Sequence, residues 1–294
     1  MTKISGIFAA TMSVLNPDLS LNAEKTIVHA EKLIDKGCHG TAIFGSTGQS
    51  QLISISEKID LLNKLSKSKY KDRHLIGTGL NSLGETINFM KIAISLKFKQ
   101  FLIMPPAYYK YGDLEVIEFY TKLVESVPEC KIILYNFEKL CGYKFSVDCI
   151  KELVKKFPNQ IVGVKDSSYN LFENLKLKNF SIFPGSELKL LKGLQLGCSG
   201  IITATCNVTA EMSRKVYDDF TSGKEQSDNK KLCDVRSVFD KFNLISGLHT
   251  FYSQEAEIYK NILPPLRLLN KLDEKNLINS LKDLSFTNKS PMAA

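Results

Sequence analysis

Ile161-Val162-Gly163-Val164-Lys165 is an apolar run that ends on a cation, and Asp166-Ser167-Ser168 follows it at once. Four apolar residues bounded by a polar cluster read as a short buried strand, because a helix needs a longer periodic stretch. Side chains alternate along a strand, which puts Lys165 on the face of Gly163 and Ile161 and predicts a hollow under the lysine stem where Gly163 has no side chain. The cation is thus expected where a buried strand emerges into a polar loop. Asp166 is expected on the opposite face by the same alternation. Taken alone, a lysine ending a strand is most often a solvated terminus, and the chain holds 39 basic residues.

Working outward, runs of the same kind recur at 4–10, 40–44, 75–78, 101–104, 131–135, 181–184 and 200–203. Amphipathic helical patterns separate them. Ser54-x-x-Glu57 and Ser82-x-x-Glu85 have capping-box spacing, and Asp113 and Ser146 are candidate N-caps. Eight strand–helix units complete by about residue 222 predict an α/β protein, a (β/α)8 TIM barrel. An open doubly wound sheet would call for a glycine-rich turn after its first strand, and Ala10-Thr11-Met12-Ser13 contains no glycine. Beyond Lys224 the strand signal stops, and Leu232, Val235, Val238, Phe239 and Phe242 recur at helical spacing. The expected organisation is a barrel catalytic domain over 1–223 and additional C-terminal helices over 224–294 packed on the barrel, with a frayed tail at 288–294.

At 294 residues and 44% hydrophobic content the chain is long enough for one large core. The net charge of +8 is spread over lysines with acids close to most of them, so no nucleic-acid partner is implied. Seven cysteines make an odd count with no CxxC pair, which argues against a disulfide framework and against a zinc site. The apolar stretch at 7–10 is too short for a signal peptide, and nothing approaches the roughly 20 apolar residues of a membrane span, so the expectation is a cytoplasmic protein with no membrane partner. His29, His39, His74 and His249 show no ligand spacing and read as structural or solvent-facing. Gly77-x-Gly79 lacks the third glycine of a dinucleotide fingerprint. No metal and no cofactor are expected.

In a (β/α)8 barrel the site lies where the strands end. The loops there read Gly45-Ser46-Thr47-Gly48-Gln49-Ser50, Pro105-Pro106-Ala107-Tyr108-Tyr109, Tyr135-Asn136 and Lys165-Asp166. Each alone has an ordinary reading: a tight turn, packing aromatics, a core tyrosine. Together they place an amine beside a phenol and paired hydroxyls on one rim. A neutral amine attacks a ketone, water leaves, and protons move at each step, so this set suits Schiff-base chemistry.

Read together, these residues resemble the dihydrodipicolinate synthase and N-acetylneuraminate lyase family of pyruvate-dependent Schiff-base enzymes, from about residue 4 to Arg267. Gly45 to Ser50 is similar to the family's G-T/S-T-G-E-S loop, and Pro106-Ala107-Tyr108-Tyr109 to its P-x-Y-Y segment. Tyr135-Asn136 is similar to its YN motif, Gly163-Val164-Lys165 to its G-[IV]-K segment, and 197–202 to its turn into the eighth strand. The resemblance implies that Lys165 forms an imine with pyruvate or a larger 2-keto acid, that Tyr135 relays protons, and that Ser46 and Thr47 hold the keto-acid carboxylate. It implies that Tyr108 completes a relay across a subunit contact in a homo-oligomer, a dimer of dimers, and that Leu140, Gly185, Glu187 and Thr203 line the second substrate. Synthases of the family carry an arginine where Leu140 stands, so this chain lacks that bidentate carboxylate reader and is closer to the sialic acid lyase branch. Gly185-Ser186-Glu187 matches that branch in part and also resembles 2-keto-3-deoxy sugar acid aldolases. The expected partners are pyruvate and a small aldehyde or keto sugar acid. Condensation of pyruvate with aspartate semialdehyde is the alternative enzyme, and a silent keto-acid-binding homologue the alternative class. A phosphate-sugar isomerase would need more than Gly197 and Gly200 offer.

Overall fold

The computed structural model describes residues 3–287, so the tail expected at 288–294 lies outside the described residues. Eight strands run β1 (Gly6–Ala10), β2 (Gly40–Ile43), β3 (His74–Gly77), β4 (Gln100–Ile103), β5 (Lys131–Asn136), β6 (Ile161–Asp166), β7 (Ser181–Pro184) and β8 (Gly200–Thr203). Each pairs in parallel with its sequence neighbour from β1 to β7, and β8 pairs with β1. Across the β7/β8 seam the Ser199 N–H donates to the Ile182 carbonyl at 2.8 Å, which leaves a nearly closed barrel. Phe8, Ala42, Leu75, Leu102, Ile133, Phe183 and Ile202 fill its interior. Their alternating neighbours, such as Ile43, Ile76, Ile103 and Leu134, face the helices.

The helices are α1 (Ala23–Asp35), α2 (Ile55–Leu65), α3 (Leu83–Ser95), α4 (Asp113–Ser126), α5 (Glu138–Cys141), α6 (Val147–Lys156), α7 (Leu190–Gln195), α8 (Cys206–Thr221), α9 (Asn229–Phe239), α10 (Leu244–Ser253) and α11 (Lys271–Asp283). Ser54 and Glu57 form the full reciprocal box at α2. Ser82 and Ser146 accept from the Glu85 and Cys149 N–H groups. Asp113 is not a cap. Gly112 takes that position, with its N–H held by the Glu115 carboxylate, while the Asp113 carboxylate accepts from the hydroxyls of Tyr143 and Ser146. Nor does a helix separate β6 from β7: the Asp166 carboxylate takes the N–H groups of Leu171 and Phe172, both at 2.9 Å, and pins that crossover in turns. Among the C-terminal helices, α9 packs through Leu232, Val235 and Phe239 in one cluster with Ile7, Ala9 and Ile201. Among the described residues no helix is long and apolar enough to cross a membrane.

The stretch 161–165 departs from simple alternation. Ile132 pairs with Ile161 but Ile133 pairs with Gly163, so Val162 is an extra residue in the β5–β6 ladder. Ile161 therefore packs outward, in the helix-facing cluster, while Val162 lies against the barrel interior. Gly163 does not leave a hollow either. A Cβ there would stand 2.6 Å from the Ser181 carbonyl oxygen, so the missing side chain admits the backbone of β7.

Candidate active site

Past the bulge, the β5–β6 register sets Tyr135 opposite Lys165 and Asn136 opposite Asp166. Lys165 is 3% exposed, and its Nζ lies 4.2 Å from the centroid of the Tyr135 ring. The Tyr135 hydroxyl is 3.0 Å from Ser46 Oγ. Amine, phenol and hydroxyl thus form one run at the C-terminal rim of the barrel, contributed by β6, β5 and the loop after β2.

Asn136 and Asp166 hold the two strand ends together. Asn136 Nδ2 donates to Asp166 Oδ1 and to Asn170 Oδ1, both at 2.8 Å, and Asn136 Oδ1 accepts from the Phe145 N–H. With its other oxygen on Leu171 and Phe172, the Asp166 carboxylate is filled by N–H donors on the outer face, away from the lysine. The Ser46–Gly48 segment is a single 3-10 turn flanked by two residues in the left-handed region, Phe44 at φ 60° and Gln49 at φ 55°. Ser13 Oγ donates to the Gly48 carbonyl at 2.6 Å, and Thr47 is buried.

Other expected residues lie outside this run of amine, phenol and hydroxyl. Tyr108 is 90% exposed at φ 91°, its ring edge-on to Tyr109 at 5.1 Å, and among the described residues no hydrogen bond joins it to Tyr135 or Ser46. Leu140 is exposed on α5. Gly185 serves close approach, since a Cβ there would meet Ser167 Oγ at 2.3 Å. Glu187 and Thr203, expected at the second substrate, are engaged in the helix layer. Thr203 shares the outward parity of Ile201, while Ile202 fills the interior. The Glu187 carboxylate accepts from Thr203 at 2.9 Å, Thr205 at 2.5 Å, Thr209 at 3.1 Å and Arg236 Nη1 at 3.0 Å. The reason is Arg236 on α9: a buried carboxylate needs a paired cation, and this one comes from the C-terminal helices. Burial disfavours the Arg236 cation, but the Glu187 and Asp240 carboxylates outweigh it and raise its pKa above the usual arginine value.

A second buried cation also escapes motif reading. Lys58 on α2 is fully buried, donates to the Thr78 carbonyl at 2.8 Å and lies 5.9 Å from the Phe44 ring. Burial pushes its pKa down to about 8, against the pull of Glu85. The signal was there: Lys58 falls on the buried stripe with Leu61, Leu62 and Leu65. Among the described residues no cluster of three or more His, Cys, Asp or Glu gathers to hold a metal.

The chain is an eight-stranded parallel barrel with a buried lysine at its strand ends, and its family and relatives make it a Schiff-base-forming lyase. Residues 3–283 match the model of the dihydrodipicolinate synthetase family, and the chain belongs to that family. An uncharacterized DapA-like lyase from Chloroflexus aurantiacus is 26% identical over 282 residues, covering 92% of this chain and 94% of that protein. An N-acetylneuraminate lyase from Actinobacillus pleuropneumoniae is 29% identical over 231 residues, covering 76% of this chain and 78% of that protein. The solved dihydrodipicolinate synthase from Agrobacterium tumefaciens has the same fold, with a TM-score of 0.86 at 22% identity over 96% of this chain and 99% of that one.

Proposed function

We propose that the chain is a pyruvate-dependent carbon–carbon lyase or aldolase in which Lys165 forms the Schiff base, acting on a keto acid of the N-acetylneuraminate or 2-keto-3-deoxy sugar acid kind. One observation carries the reading: the Lys165 amine sits over the Tyr135 ring, and the Tyr135 hydroxyl is within hydrogen-bond reach of Ser46. The amine adds to C2 of the keto acid, and the former carbonyl oxygen leaves as water after protonation through Tyr135. In the lyase direction Tyr135, having given its proton to the departing water, takes the C4 hydroxyl proton; the C3–C4 electron pair moves into the protonated imine as an enamine, and the C4 fragment leaves as an aldehyde. Protonation at C3 and hydrolysis then release pyruvate. Ser46, Thr47 and the turn that carries them hold the substrate carboxylate.

Leu140 favours a second substrate without a carboxylate at that point over aspartate semialdehyde, since an exposed leucine offers no fork to read one. Tyr108 and Tyr109, exposed side by side, are the surface a second copy covers in a homo-oligomer, through which Tyr108 joins the partner's relay. Seven free cysteines, all but Cys233 buried, favour a reducing compartment such as the cytoplasm.

The test is borohydride reduction with and without pyruvate, followed by peptide mass spectrometry. A pyruvate-dependent adduct on Lys165, absent from Lys165→Ala, is expected. An adduct on another lysine, or none, overturns the reading. Cleavage of N-acetylneuraminate or a 2-keto-3-deoxy sugar acid, set against condensation with aspartate semialdehyde, then decides the second substrate.

A further inference from the structure

We infer that Gln49 is a positioning residue for the turn that carries Ser46 and Thr47, held by His249 of α10, so that the C-terminal helices set the geometry of the barrel's site. The inference rests on the reading above that this turn holds the keto-acid carboxylate. Gln49 is buried and sits in the left-handed region at φ 55°, where its N–H donates to the Ser46 carbonyl at 3.0 Å. A bulky residue holds that conformation only when its surroundings impose it. The surroundings here are remote in sequence: Gln49 Nε2 is 3.1 Å from His249 Nε2, and Gln49 Oε1 accepts from the Leu263 N–H at 2.8 Å.

The proton positions follow from the partners. His249 Nδ1 is 2.9 Å from the Tyr259 carbonyl oxygen, which can only accept, so Nδ1 carries the hydrogen. A neutral ring then leaves Nε2 as an acceptor, which the Gln49 amide fills as donor. Burial supports the neutral ring by pushing the His249 pKa down to about 4. The network continues from Tyr259: its hydroxyl lies 2.6 Å from His29 Nδ1, and His29 Nε2 lies 2.8 Å from Asn207 Oδ1. Asn207 Nδ2 in turn donates to the carbonyls of Ala10 at 2.7 Å and Ala204 at 2.6 Å, at the ends of β1 and β8. Both ends of this buried network therefore land on the catalytic rim. The titratable side chains around His249 are His29 and Tyr259, while Lys32 and Lys36 act on His29.

Gln49 stands where the related loop motif carries glutamate. A carboxylate can only accept, so Gln49→Glu requires a hydrogen on His249 Nε2 while Nδ1 keeps its own, and the ring must become a cation. Pyruvate binding in Q49E should then weaken as pH rises and that ring loses its proton. In the unsubstituted chain, where the ring is neutral throughout, binding should be flat between about pH 6 and 8.

The experiment measures the pyruvate concentration that gives half-maximal borohydride-trapped adduct on Lys165, across that pH range, for the unsubstituted chain, Gln49→Ala and Q49E. Gln49→Ala should raise the half-saturating concentration by about tenfold, the equivalent of one lost buried hydrogen bond. Q49E should approach the unsubstituted value at the acid end and rise at least several-fold towards the alkaline end. A trapped parent with both variants unmoved, or a Q49E whose shift is the same at every pH or which fails to fold at any pH, overturns the inference alone. An untrapped parent overturns the reading of Lys165 and this inference with it.

Discussion

Tyr135 does two things with one side chain. Its ring lies against the Lys165 amine, an attraction between a cation and an aromatic face, and its hydroxyl meets Ser46. Tyr135→Phe separates these roles, because it keeps the ring and removes only the hydroxyl, the proton carrier of the proposed mechanism. We expect kcat to fall by about 10²–10⁴, the usual worth of a positioned general acid or base, with KM for the keto acid changed by less than about threefold. Ser46→Ala should show a smaller loss in kcat and a larger rise in KM, since Ser46 touches the phenol and also belongs to the turn we propose for the carboxylate. Steady-state kinetics of the two variants checks this, and equal losses in kcat would remove the division of labour. The same contrast between packing and chemistry separates Lys165 from Lys58. Both are buried, but the Lys58 amine donates to the Thr78 carbonyl, whereas no such bond to Lys165 is found among the described residues.

At the scale of the element, β6 is where sequence and structure part and meet again. Gly163→Ala would drive a methyl to within 2.6 Å of the Ser181 carbonyl oxygen, an atom of the ladder itself that cannot rotate away. Forced overpacking of this kind costs about 1–3 kcal/mol, so the urea midpoint should fall with the slope unchanged. An unmoved midpoint would mean that β6 and β7 separate freely at that point. The rim motifs around Lys165 were legible because they end short apolar runs at the spacing of successive βα units. The bulge at Val162 was not, since it is set by what β5 presents across the ladder and leaves no mark in 161–165 itself. Likewise Glu187 looked available to substrate until α9 supplied Arg236, which follows it by 49 residues. Arg236→Ala should cost about 3–5 kcal/mol by leaving a buried carboxylate unpaired, and Arg236→Met with Glu187→Met should recover most of that in the same unfolding measurement. A double variant as unstable as the single would show that the threonines, and not the ion pair, hold this corner.

At the scale of the whole molecule, buried imidazoles link the fold to pH. Burial holds His29, His74 and His249 at a pKa of about 4, and it lowers that of half-buried His39 as well. In the unfolded chain each returns to about 6.5. Above that value the rings are neutral in both states and contribute no slope. Between about 6.5 and 4 the unfolded chain binds protons that the folded chain refuses, so stability falls as pH falls, by up to about 1.4 kcal/mol per pH unit for each ring. Most carboxylates titrate below about 4.5, which leaves the window from about pH 6.5 to 5 largely to the histidines. His74 stands apart from the network that joins His29 and His249. Its Nδ1 meets Thr41 Oγ1 at 2.8 Å, and its Nε2 has no partner among the described residues. His74→Phe should therefore remove its share of the acid slope while leaving keto-acid binding at Lys165 unchanged. His249→Gln should remove a similar share and alter that binding. Urea unfolding at several pH values in this window, paired with adduct trapping at neutral pH, reads both quantities. A stability curve flat down to pH 5 would show that the unfolded chain gains no protons there and that burial is not what holds these rings neutral.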